Sequence, residues 1–284
     1  MSAVIVFGSI NVDYVASVEN LPGPGETVKT PAYQALPGGK GANQALSARR
    51  NGAVTYMVGA VGSDGQDDVS LKHLRSDGVD LSGVQTVEGP SGLAMIAVEK
   101  SGENQIIVVS GANDLATAAS IEGLASGNIL VTQNEVPWPE TAAAHRAAKA
   151  AGVTVVHNAA PAHTIDQAAL ENIDVLVVNE HELELAAASK GSEDQQALDL
   201  LKRGVGAVVL TLGALGAAIY QDDEKDHVAA VPTTVVDTTG AGDAFVGALA
   251  AALAAGTSLR EAVGAANTYA AKVCGVLGAQ TPVT

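Results

Sequence analysis

A single cysteine, Cys274, in 284 residues has no partner for an intramolecular disulfide. The cross-linked framework of small secreted domains is therefore excluded, and a reducing cytoplasm is the simplest home. Basic residues are also scarce: 15 Lys and Arg stand against 31 Asp and Glu, a net charge of −16. Nucleic acids and anionic membranes are bound largely through Lys and Arg on phosphate, so neither is expected as a partner. Any anionic ligand must be held locally, by backbone N–H groups, helix N-termini or a metal ion. The first eight residues, Met1 to Gly8, lack the basic residues and the long apolar run of a signal peptide and read as a first strand. Gly204–Gln221 is long enough to raise the question of a membrane span, but Gly204, Gly206, Gly213 and Gly216 punctuate it as strand, turn, strand. Ala244–Leu259 is shorter and dominated by Ala, and no span is predicted.

What is present is alternation. Apolar, β-branched runs at Val4–Phe7, Thr55–Val58, Ile129–Thr132, Val153–His157, Val175–Val178 and Ala207–Thr211 predict strands. Helical stretches lie between them at Asn43–Arg50, Val69–Ser76, Glu140–Ala150, Glu180–Ala188 and Asp194–Arg203, several followed by a glycine suited to a helix end. The pattern predicts an α/β fold with a doubly wound, mostly parallel sheet flanked by helices. Two segments interrupt it: Val12–Pro37, with polar-apolar alternation around Glu26–Tyr33, and the pair Gly92–Val98 and Gln105–Ser110. They are read as one small β layer over an end of the core. The expectation is a single domain over 1–284, with a lid from about 12–37 and 91–111 inserted in it.

In open α/β sheets ligands sit at the carboxyl ends of the strands. The residues there are unusually polar: Gly8-Ser9-Ile10-Asn11-Val12-Asp13, Gln133-Asn134-Glu135, Asn158, Asn179-Glu180 and Thr211-Leu212-Gly213. Each alone could be a helix cap; together they suggest a lined cleft. Asp237-Thr238-Thr239-Gly240-Ala241-Gly242-Asp243 precedes an apolar helix, where glycine-rich backbone and the helix dipole suit an anion. Asp243 in the first turn is a natural dipole partner, and equally a general base placed beside a transferring phosphoryl group. Gly38-Gly39-Lys40-Gly41-Ala42-Asn43-Gln44-Ala45 permits close backbone approach to a ligand, and Asn43 suits vicinal hydroxyls. It is not a phosphate loop of the Walker type, and no glycine cluster has the dinucleotide-binding spacing.

At these three motifs the sequence resembles the PfkB-type carbohydrate kinases, in order over nearly the whole chain: Gly8–Asp13 resembles the family's sugar-binding motif, Gly38–Ala45 its first signature and Asp237–Asp243 its second. The first signature has the form seen in ribose-phosphorylating members. The resemblance implies transfer of the ATP γ-phosphoryl group to the primary hydroxyl of a pentose, with Mg2+ and an activating K+. It implies Asn11, Asp13, Gly39, Lys40, Asn43, Glu135 and Asp243 as sugar-binding residues, with Asp243 also the base. The N–H groups of Gly240, Ala241 and Gly242 would form the anion hole. Asn179, Thr211, Gly213, Gly242 and Asn267 fall where the family holds ATP. Glu182 matches a residue of the magnesium–phosphate network, although it could be only the solvated face of a helix. Asp237, Thr239, Val273, Val276 and Gly278 match the K+ site, and a homodimer through the β lid is implied. Nucleoside, pseudouridine, deoxyribose or hexose kinases, and a non-catalytic sugar sensor, are the rival readings.

The sequence departs from the family at Pro282, where a serine is usual, with Thr281 or Thr284 as conceivable substitutes, and at Asn158-Ala159-Ala160-Pro161, where proline usually follows the asparagine directly. The six histidines show no metal-ligand spacing, Trp138 reads as a packing anchor, and Cys274 as a small buried apolar residue.

Overall fold

The computed structural model describes residues 2–222 and 224–283. Its strands are β1 (Ala3–Phe7), β2 (Asn11–Val18), β3 (Gln34–Gly38), β4 (Val54–Gly62), β5 (Asp80–Val87), β6 (Gly92–Glu99), β7 (Asn104–Val109), β8 (Ile129–Thr132), β9 (Thr154–Asn158), β10 (Val175–Val178), β11 (Ala207–Thr211), β12 (Ala217–Gln221) and β13 (Glu224–Val228). The helices are α1 (Lys40–Arg50), α2 (Asp67–Ser70), α3 (Lys72–Asp77), α4 (Trp138–Ala150), α5 (Gln167–Leu170), α6 (Glu180–Ala187), α7 (Glu193–Lys202), α8 (Ala241–Ala254) and α9 (Leu259–Cys274).

A nine-stranded sheet runs in the order β13-β12-β11-β10-β9-β8-β1-β4-β5. From β11 to β5 neighbours pair in parallel, and β12 and β13 add antiparallel at one edge. Strands covered on both faces need apolar residues on both, which is why β10 reads Val-Leu-Val-Val with every residue buried. Along β1 the pleat sends Val4 and Val6 into a core shared with α1, α8 and α9, and Ile5 and Phe7 into one shared with α4. A third cluster packs α6 and α7 against the same sheet. No helix among the described residues is long and apolar enough to cross a membrane.

Chain order reverses between β1 and β8, a topological switch point, and the cleft opens beyond the carboxyl ends of these strands. Over it lies a four-stranded sheet, β3-β2-β6-β7, in which β2 and β6 pair in parallel and the outer pairs are antiparallel. Pro37 sits on edge strand β3, where a missing N–H is tolerated.

Two expectations are corrected. Residues 26–33 form no strand; they are exposed, and the pairing partner of β2 is Gln34–Gly38 instead. The single helix expected over Val69–Ser76 is two short ones, α2 and α3, meeting at Leu71. Strands β5 and β13 and the long helix α9 were not anticipated, β5 and β13 because their exposed edge positions carry little apolar signal.

Candidate active site

Helix α8 supplies the centre of the site. Gly240 is its N-cap with φ 74°, a left-handed conformation that glycine adopts without strain. The next turn places Asp243, 7% exposed, under the mouth of the cleft. Close approach of α8 to α1 puts Asp243 beside the first signature: at Gly247 a Cβ would run into the Gln44 carbonyl and the Ser47 side chain. Across that contact Asn43 Nδ2 donates to Asp243 Oδ2 at 3.0 Å and Gln44 Nε2 to Oδ1 at 2.9 Å. Gln44 Nε2 also lies 3.1 Å from Asn158 Oδ1.

A cavity of about 190 Å³ is lined by Lys40, Asn179, Glu182, Thr211, Gly240, Gly242 and Asp243. The structure thus gathers strand ends β10 and β11 and the amino ends of α1, α6 and α8 at one place. The first N–H groups of a helix lack intrahelical partners, so Gly240 and Gly242 face the cavity with anion-binding backbone. Ala241 differs: its N–H donates to the Thr238 carbonyl at 3.1 Å, and it does not line the cavity.

On the sugar-motif side, Glu135 Oε2 accepts from the Ser9 hydroxyl at 2.5 Å and from the Lys40 N–H at 3.0 Å, joining β1 and β8 across the switch point and capping α1, whose N-cap is Gly39. Asn11, buried on β2, has its oxygen bonded by Asn113 Nδ2 at 2.7 Å, which leaves its NH2 for a ligand. A second cavity of about 280 Å³ lies there, lined by Asn11, Asn113, Glu135 and Val108 among others. Asp13, also on β2, is pushed up to about 6 by burial, with Glu135 and Asp243 repelling its charge and Lys40 offsetting part. Asp243 raises the Lys40 ammonium above the ordinary lysine value against the opposing effect of burial, with Glu135, Glu182 and Asp13 adding to it. Lys40 is therefore held as a cation by the combined field of four carboxylates.

Glu182 is not a solvated helix face. It is 9% exposed and forms a capping box with Asn179, taking the Asn179 N–H at 2.9 Å on Oε2 while its own N–H bonds Asn179 Oδ1 at 2.8 Å. Burial pushes its carboxyl up even against that donor and Lys40. No group of three His, Cys, Asp or Glu among the described residues forms a metal cage. Mg2+ keeps much of its water and binds through one or two carboxylates and substrate phosphates; of the two carboxylates lining the cavity, Glu182 and Asp243, Asp243 already has both oxygens held by amide donors.

Asp237 and Thr239 sit just before the anion-binding turn, and Gly278 reaches them from the last loop through an N–H bond to Asp237 Oδ2 at 2.8 Å. Val276 stands in the same loop. Val273 belongs to α9, where its carbonyl already accepts the Val276 N–H at 3.1 Å. The Thr281 hydroxyl donates to the Leu277 carbonyl at 2.6 Å, and Thr284 lies outside the described residues.

Two residues expected at the nucleotide lie off the cavity lining. Gly213 opens the exposed turn after β11, and Asn267 on α9 donates to the Val228 and Ala229 carbonyls at 3.0 and 3.2 Å, fixing the chain after β13. Conversely, the sequence reading singled out no role for Gln44, Asn113 or Gln280. Gln44 stands inside the first signature, whereas Gln280, 4% exposed and bonded to Asn43 Oδ1 at 2.8 Å, carried no local signal. The histidines bind no metal by spacing, but His145 and His157 meet at the Thr132 hydroxyl in the core, with Trp138 edge-on to both rings. Cys274 is half-buried, and burial with Asp237 nearby pushes its thiol up, so it is no reactive thiolate.

The pfkB family of carbohydrate kinases matches residues 1–284, and the chain belongs to that family. It is a phosphotransferase with an alcohol acceptor. It is 36% identical over 260 residues to a ribokinase of Staphylococcus aureus, covering 88% of this chain and 86% of that one. Similarity to a ribokinase of Bacillus subtilis is 33% over 285 residues, covering 99% and 95%. The crystal structure of a Thermotoga maritima ribokinase superposes with a TM-score of 0.92 at 33% identity over 100% of this chain and 97% of that one. An Arabidopsis thaliana ribokinase complexed with ribose and ATP does so at 0.87 and 32%, over 98% and 94%.

Proposed function

We propose that the protein is a ribokinase, transferring the γ-phosphoryl group of ATP to the O5 hydroxyl of D-ribose. The observation that carries this reading is Asp243: a carboxylate at a helix N-terminus, both oxygens held by amide donors, beside a glycine turn built for an anion. Asp243 takes the proton from the primary hydroxyl as that oxygen attacks the phosphoryl group. The N–H groups of Gly240 and Gly242 and the Lys40 ammonium stabilise the charge on the transferring group; Ala241 is subsidiary, since its N–H is engaged. Asp13, Asn11, Asn43, Glu135 and the Gly39–Lys40 backbone orient the sugar. Asn179 and Thr211 flank the nucleotide phosphates, with Gly213 and Asn267 supporting the loops around the base.

Mg2+ would be held by Glu182 and the phosphates, where it neutralises phosphate charge. K+ would be held by Asp237 and the carbonyls of Thr239, Val276 and Gly278, with Val273 as a backbone support. The small sheet acts as a lid that excludes water from the phosphoryl group. Its edge strand β7 exposes Ile106, Ile107 and Val108 by 52%, 62% and 54%, which supports a homodimer through the lid. A cytoplasmic location goes with the lone thiol.

The second cavity favours one alternative, a nucleoside whose base occupies the space beyond Asn11 and Glu135. ATP consumption coupled to sugar phosphate formation, run with ribose, 2-deoxyribose, fructose, adenosine and pseudouridine in K+ or Na+, separates the readings. Preferred turnover of ribose is expected; turnover of a nucleoside alone refutes ribose, and silence throughout points to a sensor.

A further inference from the structure

Asp243 is held by two amides, and an amide has two faces of nearly the same shape, one accepting and one donating. A carboxylate only accepts. Were Gln44 or Asn43 turned over, its oxygen would oppose a carboxylate oxygen and the base would lose a donor. Asn158 Oδ1, 3.1 Å from Gln44 Nε2, favours one orientation of Gln44, and behind each amide stands a second one that acts on its oxygen. Gln133 Nε2 donates to Gln44 Oε1 at 2.7 Å, and Gln280 Nε2 donates to Asn43 Oδ1 at 2.8 Å. With their oxygens so occupied, Gln44 and Asn43 turn their NH2 groups onto Oδ1 and Oδ2 of Asp243.

Both outer glutamines are buried, Gln133 fully and Gln280 to 4% exposure, and each leaves its own Oε1 without a partner among the described residues. Burying a polar group incompletely satisfied is costly, so these side chains are not there for stability alone. They enter from different places: Gln133 follows β8, and Gln280 lies in the last loop, where Arg50 Nη1 holds its carbonyl at 2.9 Å. Neither lines the phosphate cavity.

We infer that Gln133 and Gln280 are positioning residues that, through Gln44 and Asn43, fix the polarity of two amides and so present one N–H to each oxygen of Asp243. The inference rests on the assignment of Asp243 as base. A base pinned at both oxygens is aimed at one hydroxyl position, and misplacement of a catalytic group by about 1 Å can cost about a hundredfold in rate.

The test is Gln133→Met and Gln280→Met in the full chain, each nearly isosteric but unable to donate, with Gln133→Leu and Gln280→Leu in reserve should a Met variant not fold. Steady-state phosphorylation of ribose gives kcat, calorimetric titration with ribose gives affinity, and thermal unfolding reports the fold. Each folded variant is expected to lose at least about tenfold in kcat, up to the roughly 10²–10⁴-fold of a general base; ribose affinity stays within about threefold of wild type for Gln133→Met, whereas Gln280→Met, acting through the sugar-orienting Asn43, loses clearly more in kcat than in affinity. A folded variant with kcat within about twofold of wild type overturns the inference, as does parallel loss of kcat and ribose affinity. Asp243→Asn is run alongside: if it keeps wild-type turnover, the base assignment itself falls and takes the relay with it, whereas an inactive Asp243→Asn beside fully active glutamine variants refutes the relay alone.

Discussion

Asp237 and Gly278 meet across 41 residues of chain: the Gly278 N–H donates to Asp237 Oδ2 at 2.8 Å, and the Thr239 N–H takes Oδ1 at 2.9 Å. Burial pushes the Asp237 carboxyl up, but these hydrogen bonds outweigh it and hold the group below the usual carboxylate range. The aspartate therefore ties the last loop to the turn that precedes the anion hole. Asp237→Ala is expected to lower turnover about tenfold by loosening that preorganised turn and to abolish any difference between K+ and Na+. Parallel assays in the two salts check it; an undiminished K+ preference would remove Asp237 from the cation site.

The sugar-binding role proposed for Asp13 predicts a pH dependence of ribose affinity. Burial, with Glu135 and Asp243 nearby, pushes the Asp13 carboxyl up to about 6, and a carboxylate accepts two or more sugar hydroxyls where the acid cannot. Ribose affinity should weaken as pH falls below about 6, seen by titration calorimetry at constant ionic strength. The same shift acts on stability with opposite sign. Between 3.8, the unperturbed value, and about 6 the folded chain binds more protons than the unfolded one, so this group's contribution is present below the window and lost as pH rises through 6. Asp13→Asn should thus be more stable than wild type at pH 8, by roughly 3 kcal/mol at most, and unfold at a higher temperature, while phosphorylating ribose poorly.

The buried histidines work the other way. Burial holds His145 down at about 4, with Arg146 adding to the effect, and His157 well below the ordinary value of 6.5. The unfolded chain takes up protons between pH 6.5 and 4 that the folded one refuses, so stability present above 6.5 is lost as pH falls. His157→Gln removes one of these groups and should flatten the loss of melting temperature between pH 7 and 5 relative to wild type. An unchanged slope would mean that His157 does not titrate differently in the two states.

Strand β7 predicts assembly. Ile107, 62% exposed on an unpaired sheet edge, would be covered in a lid-to-lid dimer, and Ile107→Lys places a charge there at little cost to the monomer. Light scattering after gel filtration should read a dimer for wild type and a monomer for the variant; monomers in both would exclude the lid as an interface.

Much of this molecule was legible in the chain. Ile129–Thr132, Val175–Val178 and Ala207–Thr211 form strands over the expected residues because continuous β-branched runs bury both faces of a parallel sheet. Glycine before an apolar helix, and Asn or Glu after a strand, likewise mark Gly240, Asp243, Asn179 and Glu135 by local backbone chemistry alone. Edge strands β5 and β13 were not legible, since a strand exposed along one side carries a weak apolar pattern.

The sequence by itself determined the alternation of strand and helix, the glycine turn at the amino end of α8, and the acidic balance that leaves no basic face for an anion. Only the tertiary structure decided which polar side chains meet. Asn43 and Asp243 stand 200 residues apart, and Gln280 and Asn43 237 apart. Local propensity has no information at that range. Their contact depends on α8 packing tightly against α1 at Gly247 and on the last loop folding back onto Arg50, and long-range packing of this kind also sets the carboxylate field at Lys40 and buries Asp13.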